Sequence, residues 1–109
     1  MELDYEEEIR GFPTWVATLN GNVVGGITMM FEEDHASIAN VGVNPAYQGQ
    51  GLGKGLMELA ESEARDRGLS KLQLATHIAL KENLALYQHL GWTERNRDDI
   101  RVYMSKTIG

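Results

Sequence analysis

A glycine-rich loop between an apolar segment and a helical segment is the part of the sequence best suited to chemistry. Four glycines alternate with larger residues between Gln48 and Gly55, directly after a segment that ends at Asn44-Pro45. Glycine lets the backbone turn tightly and lets a ligand approach the main chain. The first N–H groups of the following helix lack intrahelical partners, and the helix dipole favours anions there. The loop therefore predicts a phosphate cradle, with a flexible surface turn as the alternative.

Length and composition limit the class of protein and the partners that this sequence can have. The chain has 109 residues, no cysteine and a net charge of −6, which predicts one domain spanning residues 1–109. No apolar run approaches the ~20 residues of a membrane helix, and no leader is evident. The lack of cysteine excludes disulfides and fits a cytoplasmic location. The acidic charge disfavours nucleic acid and favours a cationic partner such as an amine.

The apolar pattern before the loop predicts an antiparallel meander. Its strands are Trp15–Leu19, Asn22–Phe31 and Ala36–Val43. Asn20-Gly21 is a strong hairpin signal, and Gly25-Gly26 indicates a bulge. We expect the polar residues 1–13 to form a short terminal segment with room for at most one short helix.

The pattern after the loop predicts a parallel strand pair. A helix over Gly51–Arg67 and a strand over Lys71–Thr76 form a strand–helix–strand unit, whose crossover places the new strand parallel to Ala36–Val43. A second helix from about Glu82 to Leu90 follows. Two final strands, Trp92–Arg95 and Ile100–Lys106, complete a mixed sheet, and the predicted fold class is α/β (α+β).

Two blocks of this sequence resemble the GNAT superfamily of acyl-CoA-dependent N-acetyltransferases. Gln48-Gly49-Gln50-Gly51-Leu52-Gly53 is similar to its Gln/Arg-x-x-Gly-x-Gly/Ala signature, and Asn83–Trp92 is similar to its later Asn-x-x-Ala-x-x-Tyr…Gly-Phe segment. The order and the intervening strand agree over about residues 14 to 107. The resemblance implies a meander, a parallel pair splayed around the cofactor, helices on both faces, acetyl-CoA as co-substrate and no metal.

The resemblance also implies which residues hold acetyl-CoA. Main-chain N–H groups of the glycine loop would bind the diphosphate, and the backbone of Val41 and Val43 would pair with the pantetheine arm like another strand. Asn83 would bind near the pantetheine, although it also suits a helix N-cap. The implied cofactor-binding set is Val41, Val43, Gln48, Gly49, Gln50, Gly51, Leu52, Gly53, Lys54, Asn83 and Tyr87.

Direct transfer to a primary amine is the reaction that the resemblance implies. A neutral amine attacks the thioester in a ternary complex, and a backbone N–H such as that of Val43 stabilises the oxyanion. Tyr87 is implied as the general acid, since a phenol is protonated at neutral pH and can return a proton to the departing thiolate. A core aromatic with its hydroxyl reaching solvent is the alternative for Tyr87.

The general base departs from the pattern of the resembled family. Many of its members carry a glutamate on the strand before the loop, where this chain has Ala39 and Asn40. We predict that Tyr87, His77 and Glu32 are the catalytic residues. His77 is a candidate for the base because histidine titrates near neutral pH. The remaining candidates for the base are Glu33 and His35, and a solvated turn is the alternative for both glutamates.

The N-terminus is the second departure. Family members usually begin with another strand and one or two helices, so we expect the first strand and helix to be missing here. An incomplete sheet leaves an edge that invites pairing. We therefore expect a homodimer whose subunits cover each other's cleft or exchange terminal strands.

Three functions follow from these features. The leading one is an acetyl-CoA:amine N-acetyltransferase with a small-molecule or peptide amine as acceptor and no nucleic-acid or membrane partner. The second is a non-catalytic acyl-CoA-binding or sensing module on the same fold. The third, nucleotide binding, is disfavoured because Gly53-Lys54 is followed by Gly55 and not by Ser or Thr. The acceptor remains open among protein N-termini, lysines, polyamines, aminoglycosides and amino acids.

Overall fold

A single mixed sheet organises the protein. The computed structural model describes residues 2–9 and 12–108. Its seven strands are β1 Glu2–Ile9, β2 Phe12–Leu19, β3 Asn22–Phe31, β4 Ala36–Val43, β5 Lys71–His77, β6 Thr93–Arg97 and β7 Arg101–Thr107, and its helices are α1 Leu52–Asp66 and α2 Lys81–His89. The strand order is β1-β2-β3-β4-β5-β7-β6, and the β4–β5 pair is parallel while the other neighbours are antiparallel. The predicted meander and parallel pair are confirmed.

The first strand corrects the prediction for residues 1–13. Glu2–Ile9 pairs antiparallel with β2, so the N-terminal segment is a strand and not a short helix, and a strand before the meander is present. The spacing of Tyr5 and Ile9 in the sequence does not distinguish a helix from a strand, because residues four apart share a face in both. The open edge of β2 decides between them, because it offers unpaired backbone groups to a neighbouring strand.

The hairpin between β2 and β3 confirms one turn prediction and corrects a bulge. Asn20 and Gly21 both have positive φ, 53° and 81°, as a two-residue hairpin turn of type I′ requires. The register skips Val24, one residue before the predicted bulge. Gly25 is needed for another reason, because a Cβ there would lie 2.8 Å from the carbonyl oxygen of Gly42 on β4.

Helix α1 covers the centre of the sheet. It contacts β3, β4 and β5, and Gly68, with φ 74°, lies just beyond its C-terminal end. Alternate strand residues lie on the face of the sheet that α1 covers, including the fully buried Ile27, Met29 and Leu72. The buried helix residues are Leu52, Leu56, Met57, Ala60 and Ala64. Neither helix of residues 12–108 is long and apolar enough to cross a membrane.

Both helices lie on one face of the sheet, which corrects the expectation of helices on both faces. Lys106 of β7 points to the same face as the buried Leu72 of β5, its direct neighbour. Its Nζ donates to Oε2 of Glu61 on α1 at 2.9 Å and to the carbonyl oxygen of Leu90, after α2, at 2.7 Å. The crossover rule governs only the helix between parallel strands. It leaves the side taken by α2 undetermined, because β5 and β7 are antiparallel.

Lys106 is therefore expected to hold α2 against α1. We expect Lys106→Met to lower the free energy of unfolding by about 1–3 kcal/mol, because the Leu90 carbonyl loses its lysine donor and the half-buried Glu61 carboxylate keeps only the 3.4 Å bond from Arg65. Chemical denaturation measures the change. Lys81→Met is the matched control, since Lys81 is exposed and no ion pair is observed for it among the described residues. Equal effects of the two substitutions would contradict this role.

Candidate functional site

A gap between the two parallel strands forms the centre of the site. The β4–β5 ladder joins only Ala36 to Leu72, Ser37 to Gln73 and Ile38 to Leu74. Directly after Ile38 the β3–β4 register skips Ala39, and such a bulge bends the strand that carries it. Strand β5 continues with β7 as far as His77 and Arg101. The strands therefore part at Ala39, and a cleft opens between them.

The β4 edge that faces this cleft has free backbone groups. The N–H of Asn44 donates to the carbonyl oxygen of Val24 on β3 at 2.8 Å. Residues along a strand turn their N–H and C=O groups alternately to the two sides. The backbone N–H and C=O groups of Asn44 and Gly42 therefore point towards β3. Those of Val41 and Val43 point into the cleft, where β5 no longer pairs with β4. This edge can bind an extended chain of amides.

The glycine loop presents a row of free amides at the start of α1. The first helical bond of this region runs from the N–H of Gly55 to the carbonyl oxygen of Gly51. The N–H groups from Gly49 to Lys54 have no hydrogen-bond partner within the described chain. Gly49 and Gly51 have φ of 83° and 80°, which favours glycine. Free amides at a helix N-terminus are suited to phosphate oxygens.

A pocket of about 510 Å³ joins the loop, the β4 edge and both helices. Its volume lies within the range typical of ligand sites, roughly 300–1,000 Å³. Lys54 at its rim adds a positive charge near the free amides. The residues lining it that belong to the predicted cofactor set are Val41, Val43, Gln48, Gly49, Gly51, Leu52, Gly53, Lys54, Asn83 and Tyr87. Gln50 is the member of that set that does not line it.

Sequence reasoning missed several residues of this pocket. Tyr47, Met57, Glu82 and Leu86 also line it. Leu86 belongs to the family-like block, but an apolar residue on a helix is typical of a core position. A Cβ on Gly53 would lie 3.4 Å from a methyl carbon of Leu86, so α2 packs closely against the start of α1. Such contacts between elements distant in the chain leave no local signal.

A smaller pocket of about 180 Å³ lies where β4 and β5 part. Val41, Asn83 and Tyr87 line both pockets, so the two form one cleft that passes through the sheet. The remaining residues of the smaller pocket are Ile38, Ala39, Asn40, Leu74, Ala75, Thr76, His77 and Leu80. Ala75 and His77 alternate with the buried Leu74 and Thr76, so they lie on the face opposite the helices. A ligand on the helix face can thus meet a second ligand from the open face.

Asn83 lies in the first turn of α2 and takes part in both pockets. The N-cap of this helix is Leu80, which makes no side-chain capping bond. The alternative in which Asn83 is an N-cap is therefore wrong. Its half-buried side chain is instead placed at the junction of the two pockets.

Tyr87 lies at the junction of the two pockets with most of its ring buried. Its exposed fraction is 5%, and its ring packs against Trp92 with the centroids 6.2 Å apart. Burial raises the pKa of the phenol above its usual value of 10.0, because a phenolate is poorly solvated there. The hydroxyl is bonded to no other described residue. A protonated, uncommitted phenol at this junction can donate to an anion that develops in the cleft.

His77 lies in the smaller pocket, but its imidazole is already engaged. Its Nδ1 accepts a hydrogen bond from the backbone N–H of Ala79 at 3.0 Å. An imidazole that accepts at Nδ1 carries its proton on Nε2, which is then a donor. The side chain is therefore arranged to donate to a ligand and not to take a proton through Nε2.

The other base candidates lie at the wrong end of the sheet. Glu32, Glu33 and His35 form the turn before β4, and none of them lines either pocket. His35 contacts Asp34, with 2.6 Å between Nδ1 and Oδ1, and this bond lowers the pKa of that carboxyl. Val41 lies six residue steps along the strand from His35, about 20 Å at ~3.3 Å per residue. The structure thus does not bring Glu32 to the cleft.

The described residues that line the cleft do not form a cluster suited to a metal ion. No cluster of three or more His, Asp or Glu side chains suited to a metal occurs in residues 12–108. The fit is instead to a ligand with phosphates, amides and an apolar arm, because free main-chain donors and apolar walls dominate.

Comparison with known proteins agrees with this geometry. The family model described as the Acetyltransferase (GNAT) family matches residues 2–92. The ribosomal protein bS18-alanine N-acetyltransferase of Escherichia coli (strain K12) is 35% identical over 77 residues, which make up 71% of this chain and 52% of that protein. The chain spans about half the length of the curated relatives first matched, 52% in each case.

Solved structures show the same fold. The ribosomal-protein-S18-alanine N-acetyltransferase from Escherichia coli superposes with a TM-score of 0.80 at 28% identity, over 89% of this chain and 69% of that one. A GNAT family acetyltransferase from Elizabethkingia anophelis with acetyl-CoA bound gives 0.80 at 18% identity, over 89% of this chain and 76% of that one. The second likeness concerns the fold alone.

Proposed function

Since this chain belongs to the Acetyltransferase (GNAT) family, we propose that it transfers an acetyl group from acetyl-CoA to a primary amine in a ternary complex. The observation that carries the proposal is the continuous cleft, with Tyr87 at the junction of its two pockets. One pocket has the groups to hold the acyl donor, and the other opens to the opposite face of the sheet. A cleft of this form lets two substrates meet inside the sheet.

The larger pocket would hold acetyl-CoA through the main chain. The free N–H groups from Gly49 to Lys54 would bind the diphosphate, with the Lys54 ammonium nearby. The free groups of Val41 and Val43 would pair with the pantetheine amides as a neighbouring strand would. Asn83 would bind the same arm near the junction. Gln50 would contribute at most its backbone N–H, since it does not line the pocket.

Tyr87 would act as the general acid. The bound thioester supplies an activated acetyl carbonyl. The neutral amine attacks the carbonyl carbon, and the cleft-facing N–H of Val43 or Val41 stabilises the oxyanion. The new C–N bond forms and the C–S bond breaks as Tyr87 donates its proton to the sulfur. The amine nitrogen releases its proton to water, and water returns a proton to Tyr87, so the phenol is restored.

Relatives support the choice of an amine acceptor. The matched Escherichia coli protein is named for acetylating the alanine of ribosomal protein bS18. The non-catalytic alternative, an acyl-CoA sensor, is favoured only by the strand residues Ala39 and Asn40, which provide no carboxylate.

Release of free thiol from acetyl-CoA tests the proposal. We expect the protein to bind coenzyme A by titration calorimetry and to release thiol when supplied with members of one amine class. The screen covers amino acids, peptides, polyamines and aminoglycosides, with acetyl-CoA alone as the background. Binding without release for every amine would favour the sensor, and no binding would overturn both functions.

A cytoplasmic location and a homodimer remain parts of this proposal. The open face of the sheet and the edge strands β1 and β6 leave surfaces for a second copy. Light scattering at several protein concentrations tests the dimer. A monomer mass at all concentrations would contradict it.

A further inference from the structure

The described residues that line the smaller pocket include no carboxylate that could take a proton from the amine of the acceptor. Among its described lining residues only His77 and Tyr87 are ionisable. Tyr87 is protonated and serves the thiolate in the proposed function. His77 accepts from the N–H of Ala79 through Nδ1, and its proton is on Nε2. The amine must therefore arrive already neutral.

The charged groups around His77 favour an oxygen atom beside it. Arg101 is its direct partner on β7, and side chains of directly opposed residues share a face. Asp98 lies near Arg101, but its carboxylate accepts two backbone N–H groups, which keep its pKa low. Lys81 and Glu82 begin α2, and Glu82 lines the larger pocket. The open-face entrance at His77 thus offers an N–H donor, and a positively charged residue lies opposite His77 on the neighbouring strand.

We propose, on the basis of the proposed function, that the acceptor carries an α-amine beside an amide carbonyl, as the N-terminus of a peptide does. His77 is a specificity residue that donates from Nε2 to the carbonyl oxygen of the acceptor. It is not the general base. The amine nitrogen then lies deeper in the cleft, towards the junction at Tyr87.

The chemistry of amines makes the same choice independently of His77. The terminal α-amino group of a peptide has a pKa of about 7.7–8.0 and a lysine amine about 10.4, so at pH 7.5 about one third of the former and about one thousandth of the latter is neutral. A cleft without a base therefore meets roughly 250 times more reactive α-amine than lysine amine at equal concentration. Only acceptors with a weakly basic amine suit such a cleft at neutral pH.

Two acceptors of opposite type test the preference in the whole chain. L-Alaninamide presents an α-amine beside a carbonyl, and Nα-acetyl-L-lysinamide presents only its side-chain amine. We expect kcat/KM at pH 7.5 to be at least about 100-fold higher for the first. Its pH profile should rise to about pH 8 and level there, at the pKa of the acceptor itself, while the profile for the lysine derivative should still rise above pH 9. Free alanine and trialanine distinguish amino acid from peptide.

Variants of His77 separate a donor from a base. In isopropylamine a methyl group replaces the carboxamide of alaninamide. The ratio of kcat/KM for alaninamide to kcat/KM for isopropylamine, each calculated on the neutral amine, therefore measures recognition of the carbonyl. We expect this ratio to fall at least about 10-fold in His77→Leu and less than about 3-fold in His77→Gln, whose amide N–H can still donate. His89→Leu is the matched control, because His89 is exposed and lines neither pocket.

Each outcome of these measurements is decisive. The expected ratios and acceptor-dependent pH profiles support the inference. Higher turnover of the lysine derivative, profiles that level at one pH for both acceptors, or equal losses in His77→Gln and His77→Leu would overturn it while leaving the acetyltransferase intact. No thiol release with any amine would overturn the proposed function as well.

Discussion

Replacement of Tyr87 by phenylalanine is expected to lower kcat by about 10²- to 10³-fold, which is within the usual contribution of general acid catalysis. The ring and its contact with Trp92 remain, so the fold and the larger pocket are preserved. The only loss is the hydroxyl that would protonate the departing thiolate. Steady-state kinetics with saturating acetyl-CoA and amine measure kcat, and calorimetry should give an unchanged affinity for coenzyme A.

The pKa of Tyr87 gives this prediction a pH test. Burial raises that pKa above 10.0, so the acid form persists across the neutral range and is lost only at higher pH. The wild-type rate should therefore show no loss of the acid between pH 6 and 9. Tyr103→Phe is the matched control, because Tyr103 is a half-buried tyrosine on β7 that lines neither pocket. Similar losses in both variants would refute the assignment.

Replacement of Gly51 by alanine is expected to weaken coenzyme A binding by about 10²-fold, which corresponds to about 2.7 kcal/mol. A residue with a Cβ disfavours the φ of 80° that Gly51 adopts, so the loop should relax and turn its N–H groups from the pocket. Each charge-assisted hydrogen bond lost is worth about 1.5–3 kcal/mol. Titration calorimetry measures the change in Kd.

A second glycine separates binding from backbone strain. Gly68, beyond the C-terminal end of α1, has φ 74°, and like Gly51 it has open space where a Cβ would lie. Both alanine substitutions should lower the free energy of unfolding by about 1–2 kcal/mol, the cost of a left-handed residue. Only Gly51→Ala should weaken coenzyme A binding. Equal Kd values for the two variants would show that the loop does not hold the diphosphate.

The larger pocket, which we propose for acetyl-CoA, could be predicted because its signals are local. The signals lie close together in the chain: Asn44-Pro45 ends the strand, the alternating glycines form the loop, and an amphipathic pattern predicts the helix. Main-chain N–H groups need no particular side chain, so the loop is predictable once its turn and helix are. Every member of the predicted set except Gln50 lines the larger pocket, and the role of the set in binding stays a prediction.

The smaller pocket, which we propose for the acceptor, could not be predicted in the same way. Residue type alone makes His77 a candidate base, but its role depends on one hydrogen bond from Ala79. Glu32 is a candidate because it carries a carboxylate near β4 in sequence, yet an extended strand carries it away from the cleft. Side-chain roles depend on distance and on occupied lone pairs, which residue types do not encode.

The sequence by itself determined the family, the order of most strands and helices, and the glycine loop, since periodicity, turn residues and backbone freedom are properties of short segments. Only the tertiary structure decided that residues 2–9 form a strand, that both helices share one face, and that the two pockets meet at Tyr87. These features arise from pairing and packing between segments far apart in the chain. Their energies depend on which neighbour is available, and no single segment contains that information.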